Sequence, residues 1–115
     1  MSRDYRQWLE DILGSCGKIL RFTANMPFDE FVEDEKTYDA VVRNLEIIGE
    51  AAKNLPDDIR LRYRSIEWRK IAGLRDVIAH EYFGIDNDIV WDIIQNKVES
   101  LQEEVRRIME SENKV

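Results

Sequence analysis

The sequence predicts an all-α fold, an antiparallel bundle of about four to five helices, on three observations. Apolar residues recur at mixed three- and four-residue spacing through four long stretches, which places them on one stripe of a helix. No stretch sustains the period-two alternation of a half-buried strand. Proline, glycine and capping side chains fall between the stripes, where helices start and stop. With 115 residues and no internal repeat or low-complexity segment, the chain reads as one domain, 1–115.

The first stripe is Tyr5, Trp8, Leu9, Ile12, Leu13, Cys16, Ile19 and Leu20, which predicts a helix from about 3 to about 25, limited by Pro27. Phe28 to Lys36 is acidic and reads as a loop or helix start whose Phe28 and Phe31 tuck onto the core. A second helix, from about 35 to 54, carries Tyr38, Val41, Val42, Leu45, Ile48, Ala51, Ala52 and Leu55. Gly49 in its middle costs about 1 kcal/mol relative to alanine, and close approach of another helix would compensate. Glu50 beside it reads as solvated rather than as the partner of a buried arginine.

Pro56 followed by Asp57 and Asp58 has the form of a helix start, proline in the first turn and acids at the positive end of the dipole. That third helix ends near Arg64. Ser65 is the expected N-cap of a fourth helix bearing Trp68, Ile71, Ala72, Arg75, Ile78 and Ala79, which Gly84 ends. Asp86 then caps a last helix, with Ile85 and Val90 as a hydrophobic staple. Its stripe of Val90, Ile94, Val98 (or Lys97), Leu101, Val105 and Ile108 runs to about 110, and residues 111–115 are expected to fray.

The net charge of −7 argues against a general nucleic-acid binder, yet the charge is unevenly spread. Arg60, Arg62, Arg64, Arg69, Lys70 and Arg75 stand against Glu67 alone, so this window is +5 and the remainder −12. The bland account is a solvated helix face. No apolar run approaches the roughly 20 residues that span a bilayer, and the first residues are charged, so the expected location is cytoplasmic. Cys16 is the one cysteine and sits on an apolar stripe, which favours core packing over reactivity. No His or Cys pair has ligand spacing and no phosphate-binding glycine pattern occurs, so neither a metal nor a cofactor is expected.

The chemistry concentrates in Arg75-Asp76-Val77-Ile78-Ala79-His80-Glu81-Tyr82, which holds the only histidine. Histidine exchanges protons near neutral pH, and arginine keeps its charge and presents a fork of donors suited to phosphate. The pairing suggests phosphodiester work, with Arg75 and His80 as catalytic candidates. Five residues along an ideal helix turn about 500°, which leaves the two some 140° apart. Either the Arg75 arm bends round, or the helix breaks near His80, or the pair meets its counterpart from another subunit.

The combination Arg-x4-His-x-Tyr at Arg75, His80 and Tyr82 has Ile48-Gly49-Glu50-Ala51 and Trp68-Arg69-Lys70-Ile71 before it and Gly84-Ile85-Asp86 and Val90-Trp91 after it. In this it resembles the HepT-like toxins, within the HEPN-domain ribonucleases, from Tyr5 to Leu101. The resemblance implies a homodimeric helical bundle that cleaves RNA, tRNA or mRNA, without a metal, as the toxin of a two-gene toxin–antitoxin pair. It implies as partner a minimal nucleotidyltransferase antitoxin that moves AMP from ATP onto Tyr82, so that ATP is used by the partner alone. Position 76, often asparagine in related motifs, is Asp76 here, a supporting residue placed to orient His80 from four positions back. Arg64, Arg69 and Lys70 are the candidates for contacting RNA.

Cleavage through the RNA's own 2′-hydroxyl requires a base, an acid and positive charge around the phosphorane, and one chain offers one histidine. Two chains about a two-fold axis would supply both. The alternatives are a non-catalytic subunit that helps a nucleotidyltransferase hold a nucleotide or substrate, and a helical dimer whose motif only packs the interface.

Overall fold

A computed structural model of the chain describes residues 4–80 and 87–113, with 75–80 described in their backbone alone. Among the described residues every regular element is a helix: α1 Tyr5–Phe22, α2 Phe28–Glu33, α3 Glu35–Asn54, α4 Asp57–Arg62, α5 Trp68–His80, α6 Asn87–Asn96 and α7 Val98–Asn113. None of them is long and apolar enough to cross a membrane.

The α1 start is set by Asp4, whose carboxylate accepts from the Arg6 backbone N–H at 2.9 Å. Its end comes three residues before the expected limit. Thr23 turns its hydroxyl back onto the Ile19 carbonyl at 2.8 Å, and Asn25 takes a left-handed φ of 59°, which asparagine tolerates.

Residues 28–33 resolve the choice between loop and helix start as a short helix, with Asp29 and Glu30 in its first turn. Asp34 ends α2 and caps α3 at once, accepting from the Thr37 N–H at 3.1 Å and the Thr37 hydroxyl at 2.8 Å. The Thr37 backbone bond, followed by the hydroxyl bond, holds the Asp34 carboxyl below the ordinary carboxylate range. Phe31 is fully buried, its ring 5.3 Å from Tyr38 and 5.2 Å from Trp91, and Phe28 meets Trp91 edge-on at 5.9 Å. Phe31 thus joins the core as expected, whereas Phe28 is half-buried and meets it only through Trp91.

Helix α3 is the central member, packed against both α1 and α5, while α7 lies along α1. Its buried face is Val41, Asn44, Leu45, Ile48, Gly49, Ala51 and Ala52, so the small residues face helix neighbours as their spacing implies. Asn44, which the apolar pattern did not reveal, spends its amide on the Ala40 carbonyl at 2.8 Å. Glu50 is half-buried rather than solvated, one oxygen accepting from Asn54 at 3.1 Å. Cys16 is fully buried and desolvation pushes its thiol up to about 12, as core packing requires.

Three further boundaries differ from expectation. Ser65 is not the α5 cap. It lies in the preceding turn, and the first α5 bond, from the Ile71 N–H, goes to the carbonyl of Glu67 at 3.1 Å. Burial of Ile66 and Trp68, whose indole N–H donates to the Tyr63 carbonyl at 3.0 Å, fixes that later start. The last helix is divided at Lys97, although the bonds from Lys97 N–H to Ile93 and from Leu101 N–H to Lys97 run through the division. Its stripe therefore stays in phase, and Val90, Ile94, Val98, Val105 and Ile108 are all buried.

Nor does the tail fray at 111–113. Helix α7 continues to Asn113, and Glu112 accepts from Tyr5 at 3.1 Å, from Arg62 at 2.6 Å and, in a very short bond, from Tyr63. The expected stop at Gly84 and the cap and staple at Asp86 and Ile85 lie outside the described residues.

Candidate active site on the last turns of α5

Arg75, Asp76 and His80 all fall in the last two turns of α5. Helical geometry leaves Arg75 and His80 on different faces, about 140° apart, and puts Asp76 one turn before His80, about 40° away. Tyr82 lies outside the described residues.

What the described side chains show is how the basic window is sorted around this helix. Arg69 and Lys70 are neighbours on α5, so they point about 100° apart and reach different surfaces. Lys70 pairs with Glu67 at 2.7 Å on the rim of a groove of about 390 Å³ whose apolar lining includes Leu45, Ile48, Ile71, Leu74, Ile93 and Leu101. The Glu67 hydrogen bond raises the Lys70 ammonium above its ordinary range. Arg69 instead lines a concavity of about 520 Å³ with Lys53, Arg60, Trp68, Ala72 and Gly73. Arg64 is exposed in the turn before α5 and lines neither. Arg62 is engaged by Glu112 at the far end of α7.

Of Arg64, Arg69 and Lys70, Arg69 is the one that lines this cationic concavity, beside Lys53 and Arg60. Lys53 escapes a search for charge runs because it lies outside the 60–75 window. The signal was local: Gly49, Ala51 and Ala52 announce a helix crossing, and Lys53 is the next residue along, on its edge.

The family description "Ribonuclease HepT-like" matches residues 12–108. The chain belongs to the HepT-like ribonuclease family. A candidate RNase of Methanocaldococcus jannaschii is 48% identical over 93% of this chain and 88% of its own length. Another, from Caldanaerobacter subterraneus, is 40% identical over 93% of this chain and 96% of its own. A protein of Thermococcus cleftensis named as a probable ribonuclease HepT is 41% identical over 89% of this chain and 93% of its own. No solved structure matches. The all-helical architecture of the described residues agrees with membership of this HepT-like family.

Proposed function

We propose that this HepT-like protein is the endoribonuclease toxin of a toxin–antitoxin pair, cutting RNA without a metal at a site composed from two copies of the chain. The observation that carries the composite site is that each chain has one histidine, placed at the end of α5. In such a site one His80 takes the proton from a ribose 2′-hydroxyl as its oxygen attacks phosphorus. The His80 of the second copy gives a proton to the 5′-oxygen as the P–O5′ bond breaks, leaving a 2′,3′-cyclic phosphate and a 5′-hydroxyl. The two Arg75 guanidinium groups neutralise the phosphorane oxygens, and Asp76 orients the imidazole. Family membership supports the reaction class.

Regulation follows from Tyr82, two residues beyond His80. AMP moved there from ATP by a minimal nucleotidyltransferase antitoxin would place bulk and negative charge where the RNA phosphate must sit. No cofactor of the chain's own is needed, since the partner consumes the ATP.

Purified protein incubated with end-labelled RNA tests the reading. Wild type yields cyclic-phosphate ends, and His80→Ala and Arg75→Ala each lose at least a hundredfold in rate. His80→Ala cutting as fast as wild type overturns the proposal, and RNA left intact by the wild-type dimer favours the non-catalytic subunit instead. Mass analysis after co-expression with a neighbouring nucleotidyltransferase reads the modification. AMP on a residue other than Tyr82 would refute the switch.

A further inference from the structure

We propose that the concavity bounded by the end of α3, by α4 and by the first turns of α5 is a phosphate-binding subsite for the RNA strand flanking the cut. This rests on the ribonuclease reading and adds to it a place where the strand is held away from the reacting phosphate. Among the described residues six line the concavity, and Lys53, Arg60 and Arg69, one from each of three helices, supply its positive charge. In a chain of net charge −7, three cations lining about 520 Å³ of open space, with no carboxylate among the described lining residues, form a selective attraction for a polyanion. Asp57 competes for one of these cations. It engages Arg60 from the preceding turn while its own side chain stays 86% exposed.

The uncharged part of the lining fits a nucleic-acid backbone. Trp68 is only 6% exposed and its indole N–H is committed to the Tyr63 carbonyl, so it forms a fixed wall rather than a stacking platform. Ala72 and Gly73 leave α5 bare there, and a Cβ built on Gly73 would meet nothing within 4 Å. A strand can therefore lie close to the helix. With cations from three helices and a smooth wall among the described lining residues, the subsite holds phosphates without regard to sequence.

Its position ties it to the cut. Eleven residues separate Arg69 from His80, which is three helical turns plus about 20° and a rise of about 16 Å. Positions 69, 73, 76 and 80 thus follow one stripe of α5 from the concavity to the histidine. A strand laid along that stripe passes from subsite to reaction centre within a few nucleotides.

The test is the affinity of the full-length protein for a single-stranded RNA oligonucleotide methylated at every 2′-hydroxyl so that it cannot be cut. Fluorescence anisotropy would be read across a salt series, with wild-type cleavage of the unmodified RNA measured in parallel. Lys53→Gln/Arg60→Gln/Arg69→Gln is expected to weaken binding at least tenfold and to reduce the slope of log Kd against log salt by about 2, since each phosphate contact on a single strand contributes about 0.7. A matched variant, Lys18→Gln/Arg106→Gln/Arg107→Gln, removes the same charge elsewhere and should move the slope far less. Arg69→Gln alone, at an exposed helix position, reports the same trend should the triple variant fold poorly. An unchanged Kd and slope in the triple variant, with wild type still cutting RNA, overturns the subsite alone. If the same variant instead loses binding to poly-glutamate, the concavity receives an acidic protein. Wild type that neither binds nor cuts RNA overturns the subsite and the ribonuclease reading together.

Discussion

Replacing Glu112 by glutamine should lower the melting temperature by about 8 °C at neutral pH. Glu112 is the meeting point of Tyr5 from α1, Arg62 from α4 and Tyr63 from the following turn, and its side chain is 12% exposed. The Arg62 side chain is 52% exposed, so solvent screening leaves that pair a minor contributor. The two tyrosine hydroxyls donate to a charged acceptor in partly buried surroundings and contribute about 1 kcal/mol each. The total is about 2 kcal/mol. An unfolding entropy of about 2.1 cal/mol/K per residue over 115 residues converts this to about 8 °C.

The charge gives the prediction a second arm. The hydrogen bonds from Tyr63 and then Arg62 hold the Glu112 carboxyl below its ordinary 4.5. A depressed carboxylate stabilises the fold above its unfolded value and ceases to do so as pH falls through the folded one. The gap between wild type and Glu112→Gln should therefore be full at pH 7 and shrink below about pH 4.5. Thermal unfolding followed by circular dichroism from pH 7 to pH 3 reads both arms. Equal melting temperatures at pH 7, or a gap that stays constant on acidification, would show that Glu112 does not join these helices. A cycle with Tyr63→Phe should also show coupling of at least 0.5 kcal/mol.

Two further outcomes follow from burial and backbone. Gly14 sits in the middle of α1, exposed, and an added Cβ would meet nothing within 4 Å, so Gly14→Ala should stabilise the protein by about 1 kcal/mol in denaturant titration. Cys16 should resist a thiol reagent at pH 8 until the protein unfolds, because burial keeps it protonated up to about 12. By the same raised value, the stability that Cys16 confers is complete below 9.0 and declines as pH climbs from there towards 12.

The helices were legible in the sequence to the extent that burial is periodic. α3 was placed at its observed ends, because its apolar stripe runs without interruption and Pro56 opens the next helix. The division at Lys97 left no trace, since no glycine or proline marks it and the apolar phase runs through. Ser65 was a reasonable cap by residue type, but the buried Trp68 side chain decided where the turn begins. Glu112 looked like a solvated tail residue because its partners lie 107, 50 and 49 positions away. The same limit governed the site. Arg75 and His80 could be assigned to one helix from local pattern, whereas the grouping of Lys53 with Arg60 and Arg69 is made by helix packing.

The bond between Tyr5 and Glu112 also has a topological meaning. It brings the two ends of the described chain to one pole of the bundle, beside Tyr63. From there α5 starts within a few residues and extends for thirteen, about 18 Å, before reaching His80. Any domain fused at either end would thus be carried at the pole from which the histidine helix departs. A short linker from residue 113 back to residue 4 would close the chain into a ring, leaving the described packing intact and freeing any loop to serve as new termini.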